Sequence, residues 1–214
     1  MVAIDEGLPP VAPARLSADA LRRRFAAPPV WQPELLADRS HLSGESRPAA
    51  VLMPIIDHPS GATMLLTQRT AHLKRHSGQV AFPGGRHEPD DPSLFATALR
   101  EAHEEIGLEP DRVEVIGRMP DYLTGSGYRV TPVVALLAPG FQPRPDPFEV
   151  ADVFEVPLDF LMNPRNHQRR RILSDEGERQ FFAMPWQAPD SEAEYFIWGA
   201  TAAMLRNLYR MLSA

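Results

Sequence analysis

Three glutamates, Glu101, Glu104 and Glu105, fall within five residues on a segment whose apolar side chains repeat at helical spacing. That segment follows shortly after the glycine turn Ala81-Phe82-Pro83-Gly84-Gly85. At about 100° per residue, Phe95, Leu99, Ala102 and Ile106 form one narrow stripe, while the three carboxylates lie on a sector roughly opposite. The spacing predicts a helix over 92–106. Asp91 is its expected N-cap and Pro92 sits at the first turn, where no amide is left orphaned; Gly107 is the left-handed stop. Glu101 and Glu105 are a like-charged i, i+4 pair, a spacing that costs a few tenths of a kcal/mol in a bare helix. On charge alone two readings stay open: a solvated face partly neutralised by Arg100, and a cation site. The glycines add weight to the second, because they let a main-chain carbonyl and a pyrophosphate come close to the helix. Carboxylate and carbonyl oxygens suit Mg²⁺ or Mn²⁺, and a metal-bound water of lowered pKa can attack phosphorus. Phosphoanhydride hydrolysis is the chemistry such a face would serve.

The remaining chain reads as strands around that helix. Ala49 to Asp57 and Ala62 to Arg69 flank the turn cluster His58-Pro59-Ser60-Gly61 and predict a β-hairpin. Gln79 to Phe82, Val113 to Arg118, Arg129 to Leu137 and Glu149 to Val156 are further strands, and Pro157 opens a short helix to Met162. Gln168 to Leu173 and Arg179 to Met184 predict a second hairpin. A closing helix over 199–212 carries Met204, Leu205, Leu208 and Leu212 on one face. This order predicts an α+β fold, an α/β/α sandwich with a mixed central sheet. Residues 1–47 are expected to be an N-terminal extension. It would hold one short helix, capped by Ser17 and running through Phe25, and then a proline-broken polar linker; the main domain is 48–214.

With 214 residues and 43% hydrophobic composition, the chain can bury one good-sized core. A net charge of −6 argues against a nucleic-acid polymer as partner. Basic clusters at Arg69 to His76 and Arg165 to Arg171 keep a small anionic ligand open. No cysteine is present, so disulfides, thiolate metal sites and cysteine nucleophiles are excluded. Residues 1–6 lack the pattern of a secretory leader, and no apolar run reaches spanning length. A cytoplasmic protein with no membrane partner is expected. The extension could pack on its own domain or on a second copy in a homodimer.

Arg100, Glu101, Glu104, Glu105, Gly107 and Leu108 resemble the Nudix box, with Ala102 as a small stand-in at its first aliphatic position. The spacer from Gly85 to Arg100 is one residue longer than the common version, and Asp91 stands where the acidic spacer residue is usually Glu. The upstream run from Leu65-Leu66-Thr67-Gln68-Arg69 to Ala81-Phe82-Pro83-Gly84-Gly85 resembles the signature that precedes the box in coenzyme A pyrophosphatases; Thr70 and Lys74 replace the usual Ser and Arg. Similarity continues through Gly127 to Pro132 and Phe196 to Thr201, so it covers the chain from Pro48 onward and leaves out the leader.

The resemblance implies a Nudix fold and a need for Mg²⁺ or Mn²⁺. It implies cleavage of the pyrophosphate of coenzyme A or its derivatives into 3′,5′-ADP and 4′-phosphopantetheine or its acyl form. By position in the box, Glu101 and Glu105 are the expected metal ligands and Glu104 a further ligand or the group that activates water. A carbonyl of Gly84 or Gly85 would complete the shell, and Arg100 would orient a neighbouring glutamate. Arg69, Lys74, Arg75 and His76 are the candidate substrate-binding residues because they lie inside the upstream signature just before the glycine turn, with Gly84 and Gly85 of that turn; bidentate Arg and imidazolium donors are apt for phosphates. A loop-ordering hydrogen bond is an equal reading for His76. Trp186, Tyr195, Phe196 and Trp198 are candidates for stacking on adenine, although aromatics in late strands more often belong to the core. One box serves many anhydrides. ADP-ribose, a dinucleotide or a noncanonical nucleoside triphosphate therefore remain alternatives, as does a non-catalytic nucleotide-binding module.

Overall fold

A computed structural model of the chain describes residues 3–4, 7–34, 46–72, 77–174, 177–188 and 193–214. The chain enters through a two-residue strand, β1 (Ala3–Ile4), and the helix α1 (Ala18–Ala26), where the Ser17 hydroxyl accepts from the Ala20 amide as expected of a cap. The linker predicted after it lies largely outside the described residues. The predicted hairpin follows as β2 (Arg47–His58) and β3 (Gly61–Arg69). Next come β4 (Val80–Ala81), β5 (Gly84–Arg86) and the acidic helix α2 (Leu94–Ile106). Then β6 (Val113–Arg118), β7 (Tyr122–Leu123), β8 (Tyr128–Leu137), β9 (Val150–Pro157) and α3 (Leu158–Leu161) lead to β10 (Gln168–Ser174), β11 (Gly177–Gln187), β12 (Glu194–Trp198) and α4 (Gly199–Ser213).

β2 organises the larger sheet. Its alternation divides the core into two layers: Ala49, Met53 and Ile55 pack on one face with Val134, Leu136 and the α4 side chains Leu205 and Leu208. Ala50, Leu52 and Ile56 pack on the other with Ala98, Ala102 and Ile106 of α2. Both faces are therefore apolar, as expected of a strand with helices on either side. The mixed sheet runs β4-β3-β2-β8-β6, with β5 on β2, β7 on β8 and β9 on β3. β2 lies parallel to β8 along Arg47 to Ile56 and antiparallel to its other neighbours. This bears out the α+β sandwich with a mixed central sheet. One element was not anticipated: the second hairpin leaves that sheet and forms a separate four-stranded one, β1-β10-β11-β12. Its inner residues Phe182, Met184 and Ile197 join the core on the α4 side. α4 is buried around most of its circumference, including Arg206 and Asn207, and so is less amphipathic than its spacing suggests.

The split that makes the site also lies in β2. Residues Ala49 to Val51 pair with β5, whereas Ile55 to His58 pair with β3, and the Leu52 amide between them donates to the Pro83 carbonyl at 2.8 Å. The glycine turn is thereby inserted where the strand changes partner.

Residues before the sheet are held by a buried charge. Arg206 is 1% exposed, and its guanidinium donates to the Glu34 carboxylate (2.8 Å) and to Nδ1 of His167 (3.2 Å). His167 Nδ1 must accept there, so its Nε2 carries the proton given to the Leu161 carbonyl at 2.7 Å. Burial pushes the Glu34 carboxyl up, but hydrogen bonds from Arg169 and Arg206 outweigh it and hold the group below the usual carboxylate range. Asn207 fixes the same segment by accepting from the Glu34 amide at 2.7 Å. Removing one partner of a buried ion pair strands the other. Glu34→Ala is therefore expected to cost ~3 kcal/mol in urea unfolding, and a cost below ~1 kcal/mol would contradict the pairing.

Candidate active site

α2 starts later than its sequence suggests. Its N-cap is Ser93, whose hydroxyl accepts from the Ala96 amide at 3.1 Å, and Pro92 lies outside the helix. Asp91 is not the cap because Arg100 has taken its carboxylate, through Nε at 2.9 Å and Nη2 at 3.1 Å. The Thr97 hydroxyl and the Glu88 amide also donate to Asp91. Chiefly through the Arg100 hydrogen bond, the Asp91 carboxyl is held well below its usual range and the guanidinium well above its own. The helix ends as expected at Gly107, whose φ of +67° is left-handed and whose amide donates back to His103. The packed stripe is Ala98, Ala102 and Ile106, whereas Phe95 is 40% exposed and does not belong to it.

Arg100 distributes the rest of its donors over the site. It reaches Glu104 at 2.9 Å and Glu101 at 3.0 Å, and donates to the Arg86 carbonyl at 3.1 Å. The expected orienting contact with Glu104 is present, and Glu101 and Asp91 share the same guanidinium. Glu104 is the exposed member of the three.

Glu105 is not on the solvent sector: it is 4% exposed. Its carboxylate accepts from the Gly84 amide at 3.2 Å and from Arg69 at 3.3 Å. Burial pushes its carboxyl up to about 8, against the pull of Arg69 and the Gly84 amide, and the charges of Glu149 and Glu101 add to the rise. Burial raises Glu101 as well, opposed by Arg100 and reinforced by Glu104 and Glu149. Gly85 is what admits Glu101: a Cβ there would lie 2.5 Å from the carboxyl carbon and from both of its oxygens. Gly84 sits equally close to β2, where a Cβ would meet the Ala50 carbonyl at 2.4 Å.

Glu149, absent from the residues singled out in the sequence, completes the group. Arg69 Nη2 donates to it at 3.3 Å, so one guanidinium joins Glu105 and Glu149. The loop before β9 is tied to α2 by the Asp146 amide, which donates to the Glu105 carbonyl at 2.9 Å, and to Thr70 by that residue's hydroxyl on the Phe148 carbonyl. No local pattern marks Glu149; the only hint is an acid at the first position of a predicted strand.

Among the proposed substrate-binding residues, Arg69 is committed to carboxylates, and Gly84 and Gly85 lie beneath α2 as expected. Lys74, Arg75 and His76 fall outside the described residues. Of the four aromatics, Tyr195 is core: it stacks on Phe154 at 3.6 Å and its hydroxyl donates to Asp152. Trp186 packs edge-on against Phe160, while Phe196 and Trp198 are half-buried on the outer side of the small sheet.

The donor set fits a hard divalent cation. It consists of carboxylate oxygens beside glycine backbone, and two of the carboxyls, Glu101 and Glu105, are pushed up by burial and by the charge of neighbouring acids. Among the described residues the acids do not gather on a single point; each is drawn to an arginine, Glu101 and Glu104 to Arg100, Glu105 to Arg69.

Comparison with known proteins places the site in a family. The NUDIX domain matches residues 46–176, more than half the chain. The uncharacterized Nudix hydrolase NudL of Photorhabdus laumondii is 40% identical over 178 residues, covering 83% of this chain and 91% of that protein. NudL of Pectobacterium atrosepticum is 41% identical over 169 residues, 79% of this chain and 84% of that one. Among solved structures, the Nudix hydrolase RenU of M. smegmatis aligns with a TM-score of 0.46 at 26% identity, over 53% of this chain and 72% of that chain. The chain belongs to the Nudix family. It is a hydrolase of phosphoanhydride bonds in nucleoside diphosphate derivatives, a class that generally uses divalent cations. Among the described residues, no helix is long and apolar enough to cross a membrane.

Two outcomes follow from the geometry. Glu105 titrates near 8 in the fold against an ordinary 4.5, so the stability it contributes is complete below 4.5 and is lost as pH rises toward 8. Calorimetric melting of cation-free protein should therefore fall more steeply over that window than melting of Glu105→Gln, and equal slopes would contradict the buried carboxyl. Gly85→Ala should displace Glu101 and weaken Mn²⁺ binding by roughly tenfold or more while the protein stays folded; unaltered binding by calorimetry would count against the Glu101 placement.

Proposed function

We propose that this enzyme hydrolyses the pyrophosphate of coenzyme A or its derivatives, giving 3′,5′-ADP and 4′-phosphopantetheine or its acyl form. The observation that carries the reading is the run from Leu65 to Gly85, which resembles the coenzyme A pyrophosphatase signature and delivers Arg69, Gly84 and Gly85 to one acidic site. We further assign residues 48–214 to the catalytic domain and residues 1–47 to an extension.

In this reading Glu101 and Glu105 hold Mg²⁺ or Mn²⁺, with Glu104 and Glu149 as the further acids and a Gly84 or Gly85 carbonyl as an added oxygen. The bound cation supplies Lewis-acid stabilisation of phosphate charge and lowers the pKa of a water. Water adds to one phosphorus, the bridging P–O bond breaks, and each half leaves as a phosphomonoester. Arg100 keeps Glu101 and Glu104 at a fixed distance from each other, and Asp91 keeps Arg100 in place. Arg69 restrains Glu105 and Glu149, which would otherwise repel one another. Glu104, the exposed acid, is open to water and suits the deprotonating role.

Incubation with coenzyme A and either cation should yield the two named products by chromatography, and absence of turnover with both would sink the substrate assignment. Preference for ADP-ribose or a dinucleotide in the same assay would keep the enzyme class and replace the substrate. Glu105→Gln removes charge and keeps shape, and should lower turnover roughly a hundredfold or more; normal turnover would refute its role.

A further inference from the structure

The arginines first expected to meet substrate are either committed, as Arg69 is, or outside the described residues. Two others border the glycine turn. Arg86 follows Gly85 directly, and it pairs across the strands with Ala49, two residues from Arg47 on β2. Residues 47 and 49 share one face of β2, so both arginine side chains rise from that face as diagonal neighbours, about 7–8 Å apart at their backbones. Both are exposed. Among the described residues, neither guanidinium has a carboxylate partner within ion-pair distance, although the protein carries a net charge of −6. Every other arginine at the box is bound to acids: Arg69 to Glu105 and Glu149, Arg100 to Asp91, Glu101 and Glu104.

Arg47 is also held in place. Its guanidinium lies over the Tyr128 ring, 4.1 Å from the centroid, and donates to the Ser126 carbonyl at 3.0 Å. A stacked guanidinium keeps its remaining donors in one plane, so little side-chain freedom is lost when an anion binds. Gly85 turns its missing side chain toward Glu101 while Arg86, the next residue, points to the other face of the same short strand. β5 pairs with β2 alone among the described strands. The acidic site and the arginine pair are therefore separated by the thickness of one strand with a free edge.

We propose that Arg47 and Arg86 clamp a phosphomonoester of the substrate distinct from the diphosphate being cleaved, so that the enzyme favours nucleotides carrying one. The inference rests on the proposed function. In coenzyme A that group is the 3′-phosphate, which its dephospho form lacks and which is close to a dianion at neutral pH. Charge-assisted bidentate bonds to such a group are strong, and lysine reproduces the charge without the fork.

The test compares coenzyme A with 3′-dephospho-coenzyme A for the wild type, Arg86→Ala, Arg86→Lys and Arg47→Ala, each checked for folding by circular dichroism. The ratio of kcat/KM for the two substrates should exceed one in the wild type and fall about tenfold in either alanine variant, mainly through KM for coenzyme A, with partial recovery in Arg86→Lys. A ratio that stays the same in both alanine variants would overturn the clamp. If the wild type cleaves neither compound, the proposed function fails by itself. The clamp is then decided by calorimetry with adenosine 3′,5′-bisphosphate against adenosine 5′-monophosphate: preference for the bisphosphate that is lost in Arg86→Ala supports it, and equal binding of the two overturns it.

Discussion

Glu105 carries a carboxylate into a place where only a few donors can reach it, and the surrounding structure is arranged by that burden. It sits on α2 above the point where β2 exchanges β5 for β3, beside the amide of Gly84 and one guanidinium from the end of β3. Two partners at 3.2–3.3 Å do not restore the hydration lost, and the carboxyl accordingly rises to about 8. A fold built for stability alone would place an apolar side chain here. Keeping a partly compensated charge beside two more acids is reasonable where a cation completes the balance.

Arg100 and Arg69 carry opposite ends of the same task. Arg100, anchored by Asp91, spans Glu101 and Glu104 on the solvent side of the helix. Arg69 spans Glu105 and Glu149 on the inner side, and through Glu149 it draws the loop before β9 into the site. Four acids from two distant segments are thus spaced by two guanidiniums. Both guanidiniums are committed to the acids they hold apart.

Much of this was legible from residue order. Helical period, glycine stop and strand alternation located α2 and the sheet, because those signals are local and each residue adds to the same answer. Asp91 and Pro92 make a good cap in isolation, yet α2 is capped by Ser93, because a guanidinium nine residues away holds the Asp91 carboxylate in place of the helix amides. Glu105 reads as part of one acidic sector when Phe95 defines the packed stripe; the stripe runs through Ala98 instead, about 20° around the helix from Glu105, so Glu105 lies on the flank that Gly84 and Arg69 cover. Glu149 depends on a strand pairing between β3 and β9, a contact across 80 residues that leaves no spacing to read. The separate small sheet was hidden for the same reason, since a hairpin specifies its own register and not the sheet it joins.

A cation beside Glu105 should relieve the cost of its burial. The most direct measurement is the shift in thermal midpoint on adding Mg²⁺ to chelator-treated protein above pH 8, for the wild type and for Glu105→Gln. The expected result is a rise for the wild type that saturates with Mg²⁺ and is largely absent in the variant, with the cation-free variant at least as stable as the cation-free wild type. An equal rise in both proteins, or no rise in the wild type, would contradict it.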